Sequence, residues 1–266
     1  MADSPETWSF GALRPGLRVF VSGAAAGIGR VIADMLIANG AEVWVCDVSD
    51  EALADFAATH PGHRASKVDV SDEAALKALF AEVEATWSGL DGLVNNAGIA
   101  GPTGAVEDID PQDWRRCIDI GLTGQFLCAH FAVPLLKAAG GGAMVNMSSS
   151  AGRFGYAFRT PYSAAKWGVI GLTQSLAKEL GPDGIRVNAI LPGIIEGPRM
   201  EGVIAARAAQ LGIDHEDMRA RYLEKISMRR MTPQADVAAM ACFLLSDMGR
   251  NLSGQSFPVD GNVEAL

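Results

Sequence analysis

Positive charge is scarce in this chain: 22 lysines and arginines stand against 31 aspartates and glutamates, for a formal net charge of −9. With no basic excess to neutralise phosphates, neither a nucleic acid nor an anionic membrane surface is the expected partner. A small molecule suits the composition better. Cysteine is sparse too. Cys46, Cys117, Cys128 and Cys242 are widely scattered, with no C-x-x-C pair and none of the density that staples small secreted domains, so reduced thiols are expected. Only four histidines occur, and His60 and His63 fall in the proline–glycine turn "HPGH" without a third ligand nearby. A solvated loop is the reading there, and no metal is expected. The opening "MADSPETWSF" is acidic where a secretion signal needs a basic start and an apolar stretch, and no 18-residue apolar run is found. A cytoplasmic protein with no membrane association is therefore expected. Internal repeats, low-complexity tracts and linkers are also lacking, which reads as a single domain over residues 1–266.

What is present is a hydrophobic fraction of 49%, enough for a large core, arranged as short β-type runs alternating with longer helical patterns. The runs are 18–22, 42–46, 66–70, 90–95, 143–148, 185–191 and 255–259. Seven strands separated by helices predict an α/β protein with a doubly wound parallel sheet covered on both faces. Leu76, Leu79, Phe80, Val83 and Trp87 recur at helical spacing behind the acidic Asp72 and Glu73. Another helix is expected from Thr232 as cap and Pro233 as first residue, with Val237, Met240, Phe243 and Leu244 as its apolar face. The rhythm breaks at 194–231, about forty residues of charged, Arg- and Glu-rich sequence that read as a substrate lid, a solvated helix pair or a disordered insertion.

After the first strand comes "SGAAAGIGR", with Gly23, Gly27 and Gly29 ahead of a helical pattern. Glycines let the backbone turn tightly and approach a pyrophosphate, and the amides of a helix start favour negative charge. A plain tight turn would use the same residues. The second strand ends at Asp47, where a carboxylate can accept hydrogen bonds from an adenosine ribose, or simply cap the turn before "VSDEAL". Asp47 would repel a 2′-phosphate, and Ala24, Ala25, Val48 and Ser49 supply no compensating cation, so NAD is expected over NADP. Further on, "YSAAK" sets Tyr162 and Lys166 four residues apart, on one face of a helix. A nearby ammonium favours the phenolate, which lets a phenol exchange protons near neutral pH.

These segments, with "DV" at 69–70, "NNAG" at 95–98, "SSSAG" at 148–152, "RVNAILPG" at 186–193 and "VDG" at 259–261, resemble the short-chain dehydrogenase/reductase family over about residues 14–262. The resemblance implies a Rossmann-type fold, hydride transfer between NAD and a secondary alcohol or ketone, and a homotetramer. It implies Tyr162 as acid/base, Lys166 as its cation and as a holder of the nicotinamide ribose, and Ser149 as the group that hydrogen-bonds the reacting oxygen, with Ser148 and Ser150 as the alternatives to exclude. It further implies cofactor contacts from Ile28, Asp69, Val70, Asn95, Ala97, Gly98, Pro192, Gly193 and Ile195, besides the glycine turn and Asp47. Two positions depart from the family pattern. Gly121 stands where an asparagine usually completes a catalytic tetrad, and Gly197 where many members aim a threonine at the nicotinamide carboxamide. Gly121 leaves open a slower enzyme, one whose proton relay is intact with water in the gap, or an NAD-binding sensor that has lost catalysis. Arg153, Phe154, Phe158 and Arg159 lie between the serine and the tyrosine, so some should border the substrate, with the arginines on an acidic group or in surface salt bridges. Arg199, Met200, Tyr222 and Met228 are the candidate lid residues, and apolar stretches within 111–139 and 162–181 exceed what one sheet needs, which points to subunit packing.

Overall fold

Seven strands form in the computed structural model, which describes residues 13–265; the acidic opening decapeptide lies outside them. They are β1 (Arg18–Ser22), β2 (Glu42–Asp47), β3 (Arg64–Lys67), β4 (Gly92–Asn95), β5 (Gly142–Met147), β6 (Ile185–Pro192) and β7 (Ser256–Val259). All pair in parallel, in the order β3-β2-β1-β4-β5-β6-β7. The direction of winding reverses between β1 and β4, where a crevice opens beyond the carboxyl ends of the strands. The third strand departs from its expected span of 66–70. Residues 68–70 leave the sheet because the Asp69 carboxylate turns the chain, accepting from the Ser71 N–H (2.9 Å) and hydroxyl (2.7 Å).

Nine helices connect the strands among the described residues: α1 (Gly27–Ala38), α2 (Asp50–Thr59), α3 (Glu73–Trp87), α4 (Pro111–Ile118), α5 (Gly124–Ala138), α6 (Thr160–Leu180), α7 (Pro198–Leu211), α8 (His215–Glu224) and α9 (Gln234–Leu245). Their starts follow from short polar side chains. Ser49, Asp72 and Asp110 each accept a backbone N–H from the first turn of α2, α3 and α4. The last helix begins one residue later than its sequence suggests. Pro233 is its cap, while Thr232 is buried and gives its N–H to the Ile194 carbonyl (2.9 Å), tying the chain to the end of β6. Met240 and Phe243 are only partly buried, and Ala238, Ala241 and Cys242 share the buried face of α9 with Val237 and Leu244.

Alternate residues of each strand point to opposite faces, and two cores follow. Val19, Val21, Val43, Val45 and Val145 pack under α1 and α9, whereas Phe20, Trp44, Leu93, Met144 and Val187 pack under α3, α5 and α6. Residues 111–138 are apolar enough over 18 residues to pass for a membrane span by length and composition. This differs from the expectation of no such run. Half of that window is buried within the protein, and Leu127, Cys128, Ala132 and Leu136 lie in the second core, so much of its apolarity goes into covering the sheet. A five-residue π turn (Asp119–Thr123) interrupts it between α4 and α5. The insertion at 194–231 is ordered: α7 and α8 close on a third core of Ile204, Ala208, Met218, Tyr222, Ile226 and Met231. His60 and His63 both serve the scaffold, through Asp34 (2.8 Å) and the Val43 N–H (3.2 Å).

Candidate active site

A cleft of about 540 Å³ runs along the carboxyl ends of the strands, from Asp47 and Asp69 at one end to Ser149, Tyr162 and Arg199 at the other. Its floor is the glycine turn. Gly23 and Gly27 both have φ of +60°, and a Cβ on Gly23 would lie 2.7 Å from Ala97 Cα. Gly29 does not reach the cleft. A Cβ there would lie 2.3 Å from the Gly23 carbonyl oxygen, so its lack of a side chain lets α1 seat against the turn. The cap of α1 is Ala26, which has no side-chain acceptor, and the first turn carries no acid. Its leading amides are therefore open to an anion. Asp47 accepts from the N–H groups of Ala25 (3.1 Å) and Val48 (2.8 Å), so it braces the turn as well as lining the cleft.

Ile28, Asp69, Val70, Ala97, Gly98, Pro192, Gly193 and Ile195 also line the cleft. Asn95 does not. It is fully buried one residue short of the lining and donates to Asn146 Oδ1 (2.9 Å) and the Gln125 carbonyl (3.1 Å). Its neighbour Asn96 takes the place, donating to the Gly23 carbonyl (2.7 Å) and so fixing the turn. Both asparagines stand in "NNAG", and only the alternation of a strand's two faces separates the fully buried one from the partly buried one that lines the cleft. The Asp47 end thus has carboxylates, the centre has free amides and the far end has proton-exchanging groups. That donor set fits a dinucleotide.

At the far end, Ser148, Ser149 and Ser150 all line the cleft but are not equivalent. Ser148 donates to the Lys166 carbonyl (2.7 Å), and Ser150 lies within reach of the Pro192 carbonyl (3.3 Å) and Asp260 (3.4 Å). Ser149 only accepts, from the Ala151 N–H (3.2 Å), so its hydroxyl proton is free. Tyr162 and Lys166 lie one turn apart on α6, with the ammonium 5.7 Å from the phenol ring centroid. The Tyr162 hydroxyl has no partner among the described residues. Lys166 is 4% exposed and has no carboxylate within ion-pair distance among them. Its Nζ donates to the Met147 carbonyl (2.8 Å) at the end of β5. Burial, helped by the Arg199 charge, pushes its pKa down to about 8.

Gly121 lies in the π turn, where a helix is locally widened, a device often found at functional sites. Four residues on, the buried Gln125 amide donates to the Met147 carbonyl (3.0 Å) and more weakly to the Gly121 carbonyl (3.4 Å). An amide side chain is therefore present beside Lys166 although residue 121 has none, a substitution that sequence alone did not reveal. Gly197 has φ of +135°, and a Cβ there would lie 2.9 Å from the Gln234 amide nitrogen, which holds the Glu196 carbonyl (3.1 Å). Of the candidate lid residues, Arg199 and Met200 line the cleft, Tyr222 is buried in the third core and Met228 is exposed. Tyr156 joins the lining and hydrogen-bonds Tyr222 (2.7 Å). Arg153 is exposed against Phe154, while Arg159 is buried and lines the cleft.

A family model described as "Enoyl-(Acyl carrier protein) reductase" matches residues 23–263. The chain is 40% identical over 250 residues to the cis-4-hydroxycyclohexanecarboxylate dehydrogenase of Sinomonas cyclohexanicum, covering 92% of this chain and 96% of that one. It is 35% identical over 260 residues to an uncharacterised short-chain type dehydrogenase/reductase of Sinorhizobium fredii, covering 94% and 98%. A crystal structure of an NAD+-bound xylitol dehydrogenase superposes with a TM-score of 0.88 at 28% identity, over 93% of this chain and 98% of that one.

A charge buried without a counter-ion is costly, and the sign of its effect is fixed. The folded pKa of Lys166, about 8, lies below the 10.5 of a lysine free in water. Between those values the unfolded chain holds a proton that the folded one has released, so stability rises with pH across that window. The cost at neutral pH is on the order of 3 kcal/mol. Lys166→Met should raise the thermal midpoint of the ligand-free protein by a few degrees at pH 7 and flatten the wild-type gain between pH 8 and 10. Scanning calorimetry at pH 7 and pH 9.5 checks both.

Proposed function

The chain belongs to the short-chain dehydrogenase/reductase family, and from that premise we propose how its residues work as an NAD-dependent oxidoreductase that interconverts a secondary alcohol and a ketone. The observation that carries the proposal is the convergence, at one end of the cleft, of a free serine hydroxyl, a phenol without a protein partner and a buried ammonium. Ser149 donates a hydrogen bond to the substrate oxygen and holds it in place. Tyr162 takes the hydroxyl proton during oxidation and returns it during reduction, and the Lys166 charge steadies the negative oxygen that this exchange creates. When bound, NAD supplies the acceptor for the hydride that leaves the carbinol carbon. Asp47 would hold the adenosine ribose, Asp69 and Val70 would border the adenine, and the open amides of α1 would take the pyrophosphate. Pro192, Gly193 and Ile195 would border the nicotinamide, and Gln234 with the 195–197 backbone would hold its carboxamide. Asn95 and Gly29 act one layer behind, through Asn146 and through the seating of α1.

The Gln125 amide takes over what an asparagine at 121 would do for Lys166, by sharing the Met147 carbonyl and keeping the Gly121 carbonyl in place. The relay reading of Gly121 is thereby preferred to a sensor that has lost catalysis. Residues 1–266 act as one unit, with 194–231 as a lid over the substrate end. Exposed Trp114, Phe126 and Trp167 on α4, α5 and α6 support a homotetramer built on that face, and four free, buried cysteines suit the cytoplasm.

Tyr162→Phe should abolish turnover while keeping wild-type affinity for NADH, which in both proteins should exceed that for NADPH about tenfold or more. Fluorescence titration and a turnover assay decide it, and equal binding of NADPH would remove the role given to Asp47. Gly121→Asn should gain less than about threefold in kcat, because the Cβ must fit 3.3 Å from that of Ala165 and the amide is already supplied. Gln125→Leu should lose about tenfold. Steady-state kinetics of the two variants measure this, and a large gain for Gly121→Asn would show the relay of the natural protein to be impaired.

A further inference from the structure

Arg159 is a second buried cation at the reacting end. It is 4% exposed, and its guanidinium lies 4.9 Å from the Tyr162 ring centroid and 5.2 Å from that of Tyr156. Nη2 donates to the Ala100 carbonyl (2.6 Å). Nε is buried with no partner, Nη1 has none among the described residues, and no carboxylate there comes within ion-pair distance. An arginine stays charged at any physiological pH, and a buried guanidinium with two unused donor nitrogens is an incomplete ion pair. The chain has gone to some length to put it there. Phe158, the residue before it, is left-handed at φ +65°, a conformation that costs a bulky side chain free energy. Its carbonyl is held by the Gly104 N–H (3.0 Å) and its ring by Arg207 (4.2 Å).

The surroundings agree on the sign of the missing charge. Arg159, Lys166 and Arg199 line this end of the cleft, and the only acid beside them in the lining is the exposed Glu196; Asp47 and Asp69 lie at the far end. A net-acidic protein thus presents a local positive field where its substrate reacts. The cofactor does not account for it, since its pyrophosphate is provided for by the α1 amides. We propose that the substrate is a compact hydroxy acid, whose carboxylate pairs with Arg159 while its carbinol meets Ser149 and Tyr162. This rests on the oxidoreductase reading of the same site and narrows it to one substrate class.

The test compares NAD-dependent oxidation of 4-hydroxycyclohexanecarboxylate, its methyl ester and cyclohexanol. It also measures cyclohexanecarboxylate, which has no hydroxyl to oxidise, as a ligand of the NADH complex by calorimetry. The wild type should favour the acid over the ester by about 30-fold in kcat/KM, and Arg159→Met should bring that ratio to within about threefold of unity. Cyclohexanecarboxylate should bind the wild-type complex, bind Arg159→Met about tenfold or more weakly, and recover in part with Arg159→Lys. NADH binding by the variants reports that they fold. Should Arg159→Met not fold, the acid-to-ester ratio of the wild type still decides. Equal rates for acid and ester in the wild type, or inhibitor affinity unchanged in Arg159→Met, would overturn the proposal. No turnover of any alcohol, with cyclohexanecarboxylate still bound through Arg159, would instead overturn the oxidoreductase reading and leave the anion site standing.

Discussion

A lysine ammonium held in the interior against a single main-chain carbonyl is the constraint around which this site is organised. Lys166 has no carboxylate to neutralise it among the described residues, so its position depends on the end of β5, where the Met147 carbonyl is free of the sheet and points at it. Ser148 ties the Lys166 carbonyl to the same strand end (2.7 Å), which fixes α6 in rotation and brings Tyr162 to the cleft one turn earlier. The next residue, Ser149, is then the only one of three serines with a proton to give. Strand, helix and hydroxyl are set by one small network, and the price is a group that would be more comfortable uncharged.

Much of this was legible from the chain because it is local. A glycine turn after a β run, an acid at the end of the next run and a Tyr-x-x-x-Lys pair all lie within a few residues, and helical or strand periodicity fixes their relative directions. Six of the seven strands fall within about two residues of their apolar runs. The third does not, because "SKVDV" is as β-prone beyond Lys67 as before it and only the Asp69 side chain decides where the sheet ends. Thr232 is likewise not the cap: it lies one residue ahead of it, with its amide bound to Ile194, thirty-eight residues earlier, a contact that a rule reading only neighbours does not see.

The two departures from the family pattern show the same limit from the other side. Read alone, a glycine at 121 and another at 197 are missing side chains. In the folded chain an amide stands near each, Gln125 from the next helical turn and Gln234 from the start of α9. Arg159 was equally ambiguous, since a sequence cannot distinguish a guanidinium in a surface ion pair from one folded inward over two tyrosine rings. Distances between elements decide these questions, and composition and spacing do not carry them.

The hydrogen bond between Tyr156 and Tyr222, together with the stacking of Arg207 on Phe158, joins the 153–159 loop to α7 and α8. Loop and helix pair are one mechanical piece. A displacement of α7 or α8 therefore pulls on Phe158 or Tyr156, so one wall of the cleft and the helices behind it cannot be altered independently.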